Sequence, residues 1–508
     1  MENKIHKFGQ KVLYFYLFFL FVVMPLYCKG GYNVMSTTKW NFFCLVSFGH
    51  QLGKIFIPGF LIILSICFLI EVIFFKSYVK KFTKADLMIL LYGIIVLVSG
   101  KIAFYVATFF VTDSSQVVIG YPGWFMGEIA QLTFVLIYFL TKRYWDGNRE
   151  IIDLAIIGSS IVFFLAVLNR FSIDVFGFWD TIDRFIRNDY VSTVGNINWY
   201  VCYLVVLFPL SIYSYIESDN KIRKVLYGIA IMIGAATLVT QGSDSAFLVL
   251  AVLALYLLKN EDDDKLVELL LIISGSCILI GLLQIVFSSH AYIPNRLSGL
   301  VTKSIIPYVL FGLGILFVFK IDLFDKFKKI VFKMIPIVLL LVIVYILLNT
   351  FDILPEQLRT YGYFRISDSW GNNRGNIWRV GVIAFFRFVF DHPYVLFFGA
   401  GPDQYANMIF TYKYEEVVID RSTVFVSCAH NEFLNTLCNY GILGFVSFYM
   451  FWYFVVFDKK RENTLFNRMC ICTIICYLVN SFVSIQQIVG APYLFIIAGM
   501  LQSQKSEF

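Results

Sequence analysis

The chain has 508 residues, 59% of them hydrophobic and 15% charged, with a mean hydropathy of +0.76. A soluble domain carries about a quarter charged residues and could not keep this much apolar surface from water, so a soluble protein is excluded. The net charge of +7 does not imply a nucleic-acid surface, because Lys and Arg are scattered between apolar runs as topology signals are.

Taken in chain order, the apolar runs are long and uninterrupted, which predicts membrane helices rather than the short alternating strands of a barrel. Fourteen candidate spans start near Val12, Ile55, Asp86, Trp124, Ile151, Ile197, Ile222, Asp244, Leu266, Ser304, Val331, Thr436, Arg468 and Gly490. The expected fold is an all-α polytopic integral membrane protein of about 12–14 transmembrane helices. Residues 1–508 are expected to form a single integral membrane domain, since no repeat or low-complexity linker divides them. The first run, Val12 to Cys28, is long and lacks a small-residue cleavage pattern, so it reads as a span rather than a signal peptide.

With the N-terminus in the cytoplasm, the connections at Lys76–Lys84, Lys142–Arg149, Lys221–Lys224, Lys259–Lys265, Lys320–Lys333 and Lys459–Arg468 share its side. Together with Lys4, Lys7 and Lys11 of the N-terminus and with Lys505, they hold 25 Lys and Arg, against 8 in the opposite short loops. The positive-inside rule then places both termini in the cytoplasm and the long loop, about 351–435, outside. That loop is the one substantial water-soluble element. Within it, Asn376 to Phe390 has a helical apolar pattern suited to the membrane surface. Of the ten cysteines, most sit inside apolar runs as small hydrophobes, and Cys428 with Cys438 is the one pair worth testing as a disulfide. No set of His, Cys and acidic residues has metal-ligand spacing, so no metal and no cofactor are expected. The acidic run Glu261-Asp262-Asp263-Asp264 reads as a solvated cytoplasmic turn.

Residues able to do chemistry gather in and beside the long loop. Arg374 lies in Gly371-Asn372-Asn373-Arg374-Gly375-Asn376-Ile377-Trp378. Asp391-His392-Pro393 and the turn Gly399-Ala400-Gly401-Pro402 follow. His430-Asn431-Glu432-Phe433-Leu434 then leads into a span through Gly441-Ile442-Leu443-Gly444. Alone, each has an ordinary reading: His430 as a helix cap or interfacial residue, Arg374 as a solvated or headgroup-binding cation. Lys101 and Glu128, in the outer parts of adjacent spans, are expected to form a structural ion pair.

In this order the pieces resemble the O-antigen ligase superfamily, which includes the Wzy-type polymerases. Gly195-Asn196-Ile197-Asn198, at the start of a span, is similar to the family's glycine–asparagine motif. The resemblance implies a metal-independent, GT-C-like glycosyltransferase in the bacterial cytoplasmic membrane, acting on its extracytoplasmic face. Its donor would be a glycan on polyprenyl (undecaprenyl) diphosphate. Its acceptor would be a hydroxyl on a glycan, lipid or protein. A guanidinium grips phosphate oxygens without losing its charge, which suits Arg374 to the diphosphate. An imidazole titrates near neutrality, which suits His430 to take the acceptor's proton. Asn431, Glu432, Asn198, Gly399 and Gly401 are the further candidates for substrate binding.

One departure stands out. Where the family carries a second arginine at the outer start of a middle span, this chain reads Gly242-Ser243-Asp244-Ser245. Either another cation such as Arg296 substitutes, or the donor is held differently. Asp244 could itself be the base, leaving His430 to bind phosphate, or it could simply cap a helix. The alternative function is a lipid-linked oligosaccharide flippase or transporter, which would show repeated halves and helices broken near the midplane.

Overall fold

The computed structural model describes residues 2–52, 55–75, 82–110, 115–360, 362–417 and 426–503, and the structural statements below concern these. Strands are confined to two small antiparallel pairs, Gly49–Leu52 with Ile55–Pro58 and Tyr190–Val191 with Gly195–Asn196. The rest of the regular structure is helical, so the fold is all-α.

Among the described residues, eight helical stretches are long and apolar enough to cross a bilayer: Glu2–Leu26, Lys84–Ala103, Glu150–Arg170, Ile197–Glu217, Lys221–Thr240, Asp263–Val286, Ile321–Thr350 and, counted across a break at Gly441, Glu432–Val456. A bent pair, Arg296–Lys303 with Ile306–Phe319, makes a ninth if read as one span. By length and composition, eight or nine of the fourteen expected spans are full-length crossings. Each expected start does meet a helix, but five of those helices are short: Phe60–Phe75, Glu128–Tyr144, Ser245–Asn260, Leu465–Asn480 and Ala491–Ser503. The reason is local. Hydropathy runs on through turns that end helices, such as the glycine-bearing 120–127 turn before Glu128 and the strand pair before Phe60.

The Ile197–Glu217 helix is the hub, 83% buried, packed by Glu150–Arg170, Lys221–Thr240 and Leu465–Asn480. By contrast Ile321–Thr350, with a hydropathy of 2.9, is 0% buried along its most apolar window. A helix this apolar with no residue of that window fully buried is stable only with lipid as its solvent. The chain is a multi-pass membrane protein.

The charged connections pair with one another. Arg468 forks onto Glu261 at 2.8 and 3.0 Å, Arg149 onto Glu217 at 2.9 and 3.2 Å, and Lys328 meets Asp263. Buried Glu71 holds Arg143 at 2.6 Å and His6 at 3.3 Å. Buried Asp86 accepts from Lys142 at 2.5 Å, Tyr138 at 2.8 Å and the Thr83 hydroxyl at 2.8 Å. Of the topology markers, Lys76, Lys80, Lys81 and Lys505 lie outside the described residues. Glu128 feels the charge of Lys101, but no ion pair within 4 Å joins them among the described residues.

The Glu432–Val456 helix is broken at Gly441, whose φ of 64° and ψ of −168° are reserved to glycine. The chain folds back there, so the Phe433 ring stacks on Tyr449 at 4.4 Å. In a straight helix those residues would be roughly 24 Å apart. A Cβ at Gly441 would also meet the Phe397 carbonyl carbon at 2.4 Å. Cys428 and Cys438 are both buried free thiols, so the disulfide expectation is corrected.

Candidate functional site

Gly371, Asn372 and Asn373 all take left-handed backbone, with φ of 58°, 61° and 65°. Only glycine and, at modest cost, asparagine accept that conformation readily, which explains this local sequence. The right-handed part of the Trp370–Asp391 helix then runs on from Arg374. Gly375 is required because a Cβ there would sit 2.0 Å from the Ser367 carbonyl oxygen. Asp368 clamps the turn from outside, accepting from Arg379 at 2.9 and 3.1 Å.

Arg374 is partly buried, and its Nη1 donates to the Gly371 carbonyl at 3.2 Å. Its Nε and Nη2 meet no partner among the described residues. Burial lowers its pKa, while Tyr363, Cys428 and Asp244 act in the opposite direction. A partly desolvated guanidinium with open donors is suited to an anion.

His430 sits beside it. Its φ is 46°, in the left-handed region that costs a side chain strain. Burial, and then the Arg374 charge, push the imidazole down to about 4, so it is neutral at physiological pH. Its ring meets Trp124 edge-on at 6.2 Å. Trp124 donates to Ser427 at 2.8 Å and Trp378 to the Ala429 carbonyl at 3.0 Å, so two indoles fix the backbone around His430.

Asp244 comes from the other half of the molecule. It stands just before the Ser245–Asn260 helix, but its side chain makes no capping bond, which corrects the cap reading. Its carboxylate instead accepts from Asn295 Nδ2 at 2.7 Å and from the Tyr363 hydroxyl. Asn198 accepts from Ser243 at 3.1 Å, and Asn196 caps the same helix start. Arg296 is exposed beside Asn295 and meets no partner among the described residues. The structure thus brings Arg374, His430, Asp244 and the Asn198–Ser243 pair to one region.

The remaining candidates are engaged elsewhere. Asn431 caps the following helix, accepting from Leu434 N at 2.9 Å. Buried Glu432 accepts from Thr436 at 3.1 Å and from Gln486 N at 2.8 Å. Gly399 and Gly401 serve close packing: a Cβ at Gly399 would lie 2.2 Å from the Asn439 carbonyl carbon, and Gly401 N donates to Asn439 O at 2.9 Å. Sequence reasoning missed Tyr363, Asn295, Trp124 and Asp403. Asp403, pushed up to about 6 by burial, accepts from Tyr121 N at 2.7 Å and Met126 N at 3.3 Å, tying the glycine turn to the loop that carries Trp124. Only the Asp403 signal, an acidic residue in a Gly-Pro-Asp turn, was visible in the sequence.

The model of the O-antigen ligase family matches residues 297–449. The match covers 153 of the 508 residues and supports the resemblance to the O-antigen ligase and Wzy-type superfamily, and with it a ligase- or polymerase-type role in glycan transfer. No curated protein matches the chain. The matched stretch contains Arg374 and His430 but neither Asn198 nor Asp244, so half of the assembled region lies outside it.

Proposed function

We propose that this protein transfers a glycan from polyprenyl (undecaprenyl) diphosphate to an acceptor hydroxyl, without a metal, as an O-antigen ligase or Wzy-like polymerase. The observation that carries the reading is Arg374, partly buried with open donors beside a neutral His430. The acceptor oxygen bonds to the anomeric carbon as the carbon–phosphate-oxygen bond breaks, and that electron pair leaves with the polyprenyl diphosphate. Arg374 stabilises the growing diphosphate charge, and His430 takes the acceptor's proton. Diphosphate on Arg374 offsets the cation that helps depress His430, so donor binding raises the basicity of the imidazole. The site would face the outside of the bacterial cytoplasmic membrane, with both termini in the cytoplasm, and the whole chain would act as one membrane domain carrying the 351–435 loop.

The test is to incubate purified protein with native lipid-linked glycan, with and without candidate acceptors, and to resolve products by size. A ladder marks a polymerase and a single transfer to a distinct acceptor marks a ligase. No transfer by the wild type with any donor overturns the reading. Orientation is checked by labelling Ser367→Cys, in a background without other reactive thiols, with an impermeant reagent in cells whose outer barrier is opened. Labelling only after lysis reverses the topology.

A further inference from the structure

The segment 362–370 crosses the space between two halves of the site. One end is moored to the Ile321–Thr350 helix, where fully buried Asn349 donates to the carbonyls of Thr360 and Phe364, both at 2.7 Å. The other end is moored through Trp370, whose indole donates back to the Tyr363 carbonyl at 3.1 Å. Trp370 also packs against Trp378 with ring centroids 5.2 Å apart. Trp378 in turn holds the Ala429 carbonyl, next to His430. Arg374 follows directly on this segment through the left-handed turn.

Between those moorings one side chain reaches across, and it is Tyr363. Its hydroxyl donates to Asp244 Oδ2 while Asn295 donates to Oδ1. Asn295 is itself fixed, donating also to the Gly242 carbonyl at 3.1 Å and accepting from Ser298 N at 2.8 Å. The residue is 53% exposed, so burial of its ring does not account for the contact. Its pKa is pushed up to about 12 by burial and then by Asp244, so the phenol stays a neutral donor at any working pH.

We infer that Tyr363 is a positioning residue: its bond to Asp244 tethers the 362–370 segment across the site and sets where Arg374 presents its open donors. This rests on the donor-binding role proposed above for Arg374. It also gives Asp244 a task without proton transfer, as the acceptor that anchors the tether. An amide would keep one oxygen for Asn295 and turn its NH2 to the Tyr363 hydroxyl, which can accept as well as donate, so the tether would survive.

The experiment is a double-mutant cycle on the full-length protein, read as donor KM, kcat and pH profile, with native lipid-linked glycan as donor. Tyr363→Phe deletes only the hydroxyl and should raise donor KM and lower kcat, together costing about ten-fold in kcat/KM, the lower end for a hydrogen bond to a charged group, with the acid limb unmoved. Asp244→Ala should do the same, and Tyr363→Phe with Asp244→Ala no more than either alone. Asp244→Asn should restore near-normal KM. Amide hydrogen exchange over 362–370 should quicken in Tyr363→Phe and not in Asp244→Asn.

Additive effects of the two substitutions, or Asp244→Asn behaving like Asp244→Ala, would overturn the tether. So would a shifted acid limb in Tyr363→Phe, which would mark proton transfer, or a loss of activity that merely tracks lost abundance. If the wild type transfers nothing, the functional reading fails and the positioning role with it. Exchange then reports only on the contact. A transferring wild type with an additive cycle sinks this inference alone.

Discussion

The two charged regions of this protein are built on opposite rules. Around Glu71 and Asp86 every buried carboxylate has its cation and further donors, so the charges cancel and nothing is left to bind. Around Arg374 the cation is partly buried, one nitrogen alone has a partner among the described residues, and the neighbouring imidazole is held neutral. Unpaired buried charge costs several kcal/mol, and in the function proposed above the open donors of Arg374 are where an anionic ligand completes the pairing.

The comparison breaks first at Arg374. Arg374→Ala should lower transfer by about 10³-fold or more at normal membrane abundance, since it removes the charge that meets the leaving group. Arg374→Lys keeps the charge but loses the planar fork and should recover little. Near-normal transfer by the alanine variant would remove Arg374 from the site.

His430→Gln should cost about 10²–10⁴-fold, because an amide positions a hydroxyl but takes no proton. The pH profile sharpens this. His430 is lowered, so its neutral form persists below the ordinary imidazole range, and kcat/KM should fall only as pH drops towards about 4. In kcat, measured with donor bound, the limb should move upward, because diphosphate offsets Arg374. A limb at the same pH in both profiles would contradict the coupling of Arg374 to His430.

At the paired region the expectation is reversed. Lys142→Met strands buried Asp86 and should destabilise the fold by about 3–5 kcal/mol, seen as lost abundance and a lower melting temperature. Specific activity of the folded fraction should not change. Lys142→Met with Asp86→Leu should recover much of the stability, which no pair of substitutions at Arg374 and His430 can do for activity. The smallest effect is expected from a chelator, which should leave transfer unchanged. Abolition with rescue by magnesium would require a different chemistry.

The all-α membrane fold was legible because apolar runs set their own length scale, yet the number of full spans was not. Helix ends depend on turns such as the one before Glu128, which hydropathy averages over. Arg374 and His430 were legible because they sit in motifs of fixed order. Asn431 and Glu432 share the motif with His430 but hold the helix that follows it, a distinction that sequence order cannot carry. Tyr363 had no signal at all: its partner lies 119 positions away, and nothing periodic surrounds it. Asp244 was legible as a departure, and its role needed the fold.

The break at Gly441 bears on the altitude of the proposed chemistry. An unbroken helix of 25 residues would rise roughly 37 Å and lift His430 clear of the hydrocarbon, where water would screen the field of Arg374. Folded back, the crossing part from Ile442 to Val456 rises only roughly 22 Å, less than the ~30 Å core. In the proposed function this brings the imidazole and guanidinium nearer the level at which a lipid diphosphate would ride, in surroundings of lower dielectric where one cation can govern one base. On that proposal a single glycine works as a depth gauge, matching the height of a protein site to the height of a headgroup.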